Sequence, residues 1–196
     1  MSAAPESPCP AVSTSAAADD PIWAANDDVV WTPDEIAYRR VLGHFATGVV
    51  IIAASTDAGP VGLSINSFTA VSLEPPLIGF LPAVSSKSWP AIERAGVFCV
   101  SMLAQDQEQL ARSFARPASD RFAGVGWRPS AVSGAPMIDG AIAWIDCSLE
   151  ATAPAGDHIF VTGRVDALGV RSEADPLVFA HGRYRSLVPR PDRHTD

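Results

Sequence analysis

Between Pro60 and Trp89 the chain gathers most of the side chains whose types and spacing could do chemistry. Ser64, Asn66, Ser67, Thr69 and Ser72 come first, then Pro75-Pro76, a short apolar run, and Ser85-Ser86-Lys87-Ser88 leading into Trp89-Pro90. Hydroxyls and an amide both donate and accept hydrogen bonds, and a lysine among serines adds a cation to several further donors. Two polar surfaces joined by a stiff hydrophobic element suit a polyol with a phosphate at one end. An ordinary strand-turn-strand unit with polar loops uses the same residues, because Ser and Thr favour turns for backbone reasons.

Outside this stretch the candidates are sparser. His158 follows a Pro/Gly turn, Ala153-Pro154-Ala155-Gly156-Asp157, and begins a strand-like run, a position where a barrel exposes a side chain at its rim. A surface turn histidine has the same sequence signature. Phe114, Trp89, Trp127 and Trp144 read as core before they read as cofactor contacts. Arg183-Tyr184-Arg185 either lines an anionic group or decorates the C-terminal end. The histidines at 44, 158, 181 and 194 are too scattered for a metal set. No Gly-x-Gly-x-x-Gly follows a strand, and no P-loop, Gly-x-Ser-x-Gly elbow or His-Glu-x-x-His motif occurs. Of the phosphorylated polyols, a flavin mononucleotide tail matches the opening stretch.

The elements that must position these residues follow from local signals. Thr32-Pro33-Asp34-Glu35 reads as a capping box opening a helix to about Ala46, with Ile36, Val41, Leu42 and Phe45 towards a core. Strands are expected over 49–55, 61–67, 68–73, 77–81, 97–103, 141–152, 158–170 and 176–180. The proline pair after Glu74 marks an edge or a crossing, because two prolines cannot sit in a central ladder. A helix from Trp89 to Ala95 closed by Gly96 would aim its N-terminus at Ser85–Ser88, and a second covers 105–115. Residues 116–128 read as irregular. Strands outnumber helices and come at short intervals, so the chain is read as a mostly-β barrel with a few covering helices.

Composition bounds the rest. With 196 residues, 47% hydrophobic and 18% charged, the chain holds one domain with a sizeable core. No apolar run is long enough to span a membrane. A net charge of −8 argues against nucleic acid, which requires a basic face, and phosphorylated ligands must be held by local donors. Three cysteines without metal-ligand spacing argue against a disulfide framework and a zinc site, and a reducing cytoplasm is the default. Residues 1–31, rich in Ala, Ser, Pro and Asp, read as a disordered extension, 32–188 as the folded domain, and 189–196 as a flexible tail.

Six segments in this order resemble the flavin reductase family, the small components of two-component flavin monooxygenases. They are Phe45-Ala46-Thr47-Gly48-Val49, Asn66-Ser67-Phe68-Thr69 with Val71 to Leu77, Ser85-Ser86-Lys87-Ser88-Trp89, Asp120-Arg121-Phe122, Gly156-Asp157-His158, and Pro176 to Phe179 before Gly182-x-Tyr184. The match runs from about Tyr38 to Leu187 and is nearest to reductases serving hydroxylases of aromatic and steroid-derived phenols, through Trp127 to Ser130 and Ala143 to Cys147. His181 stands where the commoner pattern has an arginine before the glycine, and Leu63-Ser64 where many members have Met-Thr.

The resemblance implies a split β-barrel of Greek-key type that binds FMN or FAD, with NADH favoured over NADPH as the reductant. It implies that Gly62, Leu63, Ser64, Asn66 and Ser67, with Thr69 beyond them, contact the ring and ribityl chain, and that Leu81, Pro82 and Ala83 pass along the flavin. Ser85, Lys87 and Ser88 would hold the phosphate and Phe114 would pack near the cofactor. His158 would sit where the nicotinamide stacks, with Asp157 and Tyr184 nearby. Hydride would pass directly between nicotinamide and flavin held about 3–3.5 Å apart. A homodimer and a partner oxygenase served by diffusing reduced flavin are further implications. The alternatives are a flavoprotein that retains FMN and acts on a small metabolite itself, and a non-catalytic flavin carrier; turnover of free flavin separates the reductase from both.

Overall fold

The computed structural model describes residues 34–116 and 121–187. The expected disordered extension, the Thr32-Pro33 part of the helix cap, Asp120 and the tail 189–196 lie outside these residues. Contacts divide the chain into two units, Met1–Leu42 and Gly43–Asp196.

The first unit contains helix α1 (Glu35–Leu42). Asp34 caps it: its Oδ1 accepts the backbone N–H of Ala37 at 2.7 Å, satisfying a donor the first turn cannot. Glu35 and Arg39 pair one turn apart at 3.0 Å. The helix ends four residues before the expected Ala46. Its apolar period buries only Ala37, leaving Ile36 at 79% exposed and Val41 and Leu42 about half exposed. Phe45, just beyond it, is likewise exposed. The expected core-facing role of these four residues is therefore corrected: the period is present, but among the described residues all four side chains stay exposed.

In the second unit a seven-stranded antiparallel sheet has the order β3 (Gly59–Ile65), β2 (Val50–Thr56), β6 (Val97–Met102), β9 (Ala143–Ala155), β10 (His158–Val170), β5 (Pro76–Phe80), β4 (Thr69–Leu73). A three-stranded sheet joins β1 (Thr47–Gly48), β11 (Val178–Ala180) and β12 (Arg183–Arg185), and β7 (Trp127–Pro129) pairs with β8 (Pro136–Ile138). The mostly-β expectation holds. The proline pair makes the β4–β5 turn, with Pro76 the first residue of its strand, where no ladder donor is required. Pro154 does not break β9 as expected: β6 pairs with β9 only from Ala143 to Ser148, so beyond that point β9 has an open edge that tolerates proline.

β2 explains its own composition. Val50, Ile52 and Ala54 enter one core with Phe80, Trp89, Ile92, Phe98, Val100 and Val161. Val49 leads Ile51 and Ala53 into a second core with Leu103, Ala111, Phe114 and Leu177. A strand buried on both faces reads as a continuous apolar run rather than an alternating one. Helix α2 (Trp89–Ala95) closes the first core through Trp89 and Ile92, and Gly96 ends it in the left-handed region at φ 69°. Helix α3 (Glu108–Ala115) serves the second through Ala111 and Phe114. It starts later than expected, because Gln107 folds back to accept the Ala104 N–H and to donate to Asp139 O.

A buried carboxylate sits between strand and loop. Asp146 of β9 is fully buried and accepts from the hydroxyls of Ser130 and Ser133 and from the Ser133 N–H, which fixes the 130–135 connection. Cys99 and Cys147, on the neighbouring strands β6 and β9 but one register position apart, are free and buried in different clusters. Among the described residues no helix is long and apolar enough to cross a membrane.

Candidate functional site

β3 lies beside β2 with Gly62 opposite Ala53 and Ser64 opposite Ile51. This register turns Leu63, Ser64, Ile65 and Asn66 into one wall of a cavity of about 410 Å³. Gly62 itself does not line it: a Cβ there would come within 2.9 Å of the Phe114 ring, so the missing side chain lets Phe114 lie flat against β3 and form part of the wall. Opposite, Ser67 is locked to the residue that follows β5, its hydroxyl accepting the Leu81 N–H at 3.0 Å and donating to Leu81 O at 3.2 Å.

The segment 82–88 forms the polar end. Three backbone bonds shape it: Val84 N to Asp157 O at 2.9 Å, Ile159 N to Pro82 O at 3.0 Å, and Ser86 N to Ala83 O at 2.9 Å. The first two tie it to the turn before β10, which brings His158 to the rim opposite Ala83. Ser85, Ser86 and Lys87 line this end together with Arg121. The expected anion seat on the α2 N-terminus is not formed that way. The Trp89 N–H is taken by Ser86 Oγ at 3.2 Å, Pro90 has no donor, and the Ala91 and Ile92 N–H groups turn to Ser88 O. An anion at this end would meet side chains: Ser85, Ser86, Lys87 and Arg121.

The remaining candidates fall in several places. Leu63, Ser64, Asn66, Ser67, Leu81, Ala83, Ser85, Lys87, Phe114 and His158 line one cavity. Pro82 is buried behind the lining, and Thr69 is exposed on β4, its hydroxyl turned to Ala70 O. Ser88 is 6% exposed and bonds to the Arg121 guanidinium instead of facing the cavity. Asp157 is exposed and holds His158, its Oδ1 2.7 Å from Nδ1. Tyr184 lies in an adjoining cavity of about 170 Å³ with Val49, Phe179, Ser64, Asn66 and Ala115, the last three shared with the first cavity. Its ring packs edge-on to Phe179 at 5.3 Å and under Arg112 at 4.8 Å. Burial pushes its phenol above the ordinary value, against the pull of Arg112.

Arg121, Ser86, Ile65 and Ala115 are lining residues that the sequence reading gave no role. Ser86 stood inside the serine cluster and Ile65 between two named residues, so both were within reach. Arg121 lay in a stretch read as irregular, and only its place in the Asp120-Arg121-Phe122 motif marked it.

The donor set suits a flavin nucleotide. One end has two cations, two hydroxyls and no carboxylate among the lining residues; the other has Leu63, Ile65, Phe114 and Leu81 around Ser64 and Asn66, apolar surface with a few fixed polar groups. No cluster of three or more metal-ligating side chains occurs among the described residues.

Residues 42–188 match the model of the flavin reductase like domain. The reductase subunit HsaB of a flavin-dependent monooxygenase from Rhodococcus jostii is 46% identical over 156 residues, covering 80% of each chain. A flavin reductase of Pseudomonas putida is 47% identical over 148 residues, 75% of this chain and 86% of that one. Among solved structures, the NADH:FAD oxidoreductase SgcE6 of Streptomyces globisporus superimposes with a TM-score of 0.77 at 34% identity, covering 84% of this chain and all of the other. By its sequence, its fold and the family model that spans its cavity, the chain belongs to the flavin reductase family.

Proposed function

We propose that this protein is an NAD(P)H-dependent flavin reductase that hands reduced flavin to a partner monooxygenase. The observation that carries the reading is the single cavity in which an apolar, amide- and hydroxyl-bearing wall runs into a cationic end, with a histidine at its open rim. When bound, the flavin supplies the hydride-accepting chemistry. The chain's own part is placement. Leu63, Ile65 and Phe114 offer a flat apolar seat, while Ser64 and Asn66 give hydrogen-bonding groups for the polar edge of a ring. Ser85, Ser86, Lys87 and Arg121 hold the phosphate against the chain's net charge of −8.

His158 is held in orientation by Asp157 and borders the open side, where a nicotinamide can lie over the ring. Its role is to position that ring; no proton transfer is required of it. NADH is the reductant favoured, because the rim offers a carboxylate at Asp157, which would repel a 2′-phosphate. The cationic end carries exposed residues, Val84, Ser85 and Lys87, so a nucleoside attached beyond the phosphate has an open way out and both FMN and FAD are accommodated. Two free buried thiols suit a reducing cytoplasm. A homodimer would cover apolar side chains exposed on the second unit, Leu73 at 92% and Val170 at 72% among them.

The test is NADH oxidation by purified protein with and without excess FMN or FAD. Turnover that rises and saturates with added flavin is expected. Flavin binding without NADH consumption would overturn the reading in favour of a carrier, and turnover independent of added flavin would favour a flavoprotein that keeps its cofactor.

A further inference from the structure

Two of the four histidines that the sequence scatters are brought together by folding. His44 lies between α1 and β1, and His181 in the turn from β11 to β12. The β1–β11 ladder pairs Thr47 with Phe179, and one further backbone bond, from His181 N to Gly43 O at 2.6 Å, carries the pairing past its end. There the two imidazoles meet edge-on, with ring centres 4.5 Å apart and planes at 78°. Among the described residues His181 alone of the non-glycines has a positive φ, 52°, and Gly182 follows at 70°. A tight hairpin turn needs that geometry at both central positions, and here one of them carries a ligating side chain in place of glycine or asparagine. Both histidines are exposed, and neither lines the main cavity or the smaller one beside it.

We infer that His44 and His181 form a binding site for one divalent transition-metal ion of the zinc, nickel or copper class. Neutral imidazole nitrogen suits these ions, whereas magnesium and calcium take oxygen ligands. Two imidazoles bonded to one ion at about 2.0–2.1 Å set their ring centres about 4.5–5 Å apart. That separation is already present, so ligation requires the two exposed rings to turn and the backbone to stay where it is. Each ring uses one nitrogen and leaves the other for a hydrogen bond. Among the described residues no group of three or more metal-ligating side chains forms, so water completes the coordination and the ion exchanges, unlike a structural zinc with four protein ligands. The net charge of −8 favours the approach of a cation. The β11–β12 hairpin also carries Phe179 and Tyr184, which line the smaller cavity, so an ion on His181 and His44 fastens that wall from outside.

The test titrates Zn²⁺ and Mg²⁺ calorimetrically into the full chain carrying Cys9→Ser and His194→Ala, which removes the thiol and the imidazole of the terminal segments. One Zn²⁺ per chain with a Kd of about 10 µM is expected, and no heat from Mg²⁺. His44→Ala or His181→Arg should each weaken Zn²⁺ at least tenfold, while His158→Ala leaves it within about twofold. Zn²⁺ at about 100 times Kd should raise Tm by about 5 °C, and this rise should vanish in His181→Arg. His181→Arg places in the turn the residue of the commoner pattern, and should His44→Ala not fold, it decides by the same criterion. Zinc binding that survives both substitutions, that falls equally in His158→Ala, or that is missing from the parent chain would overturn the inference. None of these readouts uses flavin or NADH, so the site stands or falls apart from the proposed function.

Discussion

Gly62→Ala places one methyl group where the structure has no room for it. The new Cβ would lie 2.9 Å from Phe114 Cε1, 3.3 Å from Phe114 Cδ1 and 3.1 Å from Ile52 O. The carbonyl belongs to β2, held on both sides by the β3 and β6 ladders, so it cannot retreat. The ring must yield. Phe114 is 1% exposed and packs edge-on to Phe122 at 5.0 Å, so its open direction is the cavity it lines. Overpacking of this kind costs about 2 kcal/mol. For a chain of this size that lowers Tm by about 4–8 °C. The displaced ring should also weaken FMN and riboflavin binding alike, by about tenfold, because the loss falls on the ring's seat and not on the phosphate end. Thermal unfolding followed by circular dichroism and flavin titration measure the two effects. Phe114→Leu in the same chain should recover much of the stability, since the shorter side chain vacates the clash. Unchanged Tm and flavin affinity in Gly62→Ala would refute the packing argument, and a loss confined to FMN would show that the cavity is oriented the other way round.

The other expectations can be checked on the same protein. Lys87→Ala should weaken FMN about fivefold while sparing riboflavin, an exposed cation being worth about 1 kcal/mol, as flavin titration will show. His158→Ala should raise KM for NADH about fivefold with a smaller effect on KM for flavin, in steady-state assays with each substrate varied. Asp146→Ala strips three donors of their buried acceptor and should lower Tm by about 6 °C or more, read by calorimetry. In a Cys9→Ser variant a thiol reagent should find neither Cys99 nor Cys147 until the protein unfolds. Burial lifts Cys99 from 9.0 to about 12 and raises Cys147 as well. The folded chain then keeps protons that the unfolded chain releases, so stability should decline as pH rises above about 9, measurable by denaturant titration.

What could be read from the residues follows from how far each signal is local. Helix α2 was legible to both ends because Pro90 and Gly96 act within a turn of themselves, and β10 because thirteen residues keep one pattern. The three-residue strands β7, β8 and β12 and the two-residue β1 carry no period at all and exist only through their partners. The serine-lysine end of the cavity was visible because its residues are contiguous. Arg121 was not, because its meaning depends on Gly62 and Ser88, 59 and 33 positions away. Ser88 itself shows the limit in the other direction: it has the right type and place in sequence, yet its hydroxyl turns inward to that same guanidinium.

The doubly buried strand β2 has a consequence for how a reduced product leaves. Its residues feed both cores, and β3, the cavity wall, hangs on it along seven paired positions. Amide hydrogens in that ladder should exchange with solvent only when the whole unit opens, so the wall cannot swing aside as a local event. The opposite lip is held differently, its 82–88 segment secured to the β10 turn by two backbone bonds. Amide exchange along 82–88 should therefore be faster than along β3, and flavin traffic through the cavity should depend on that lip while the other bank keeps the lifetime of the fold.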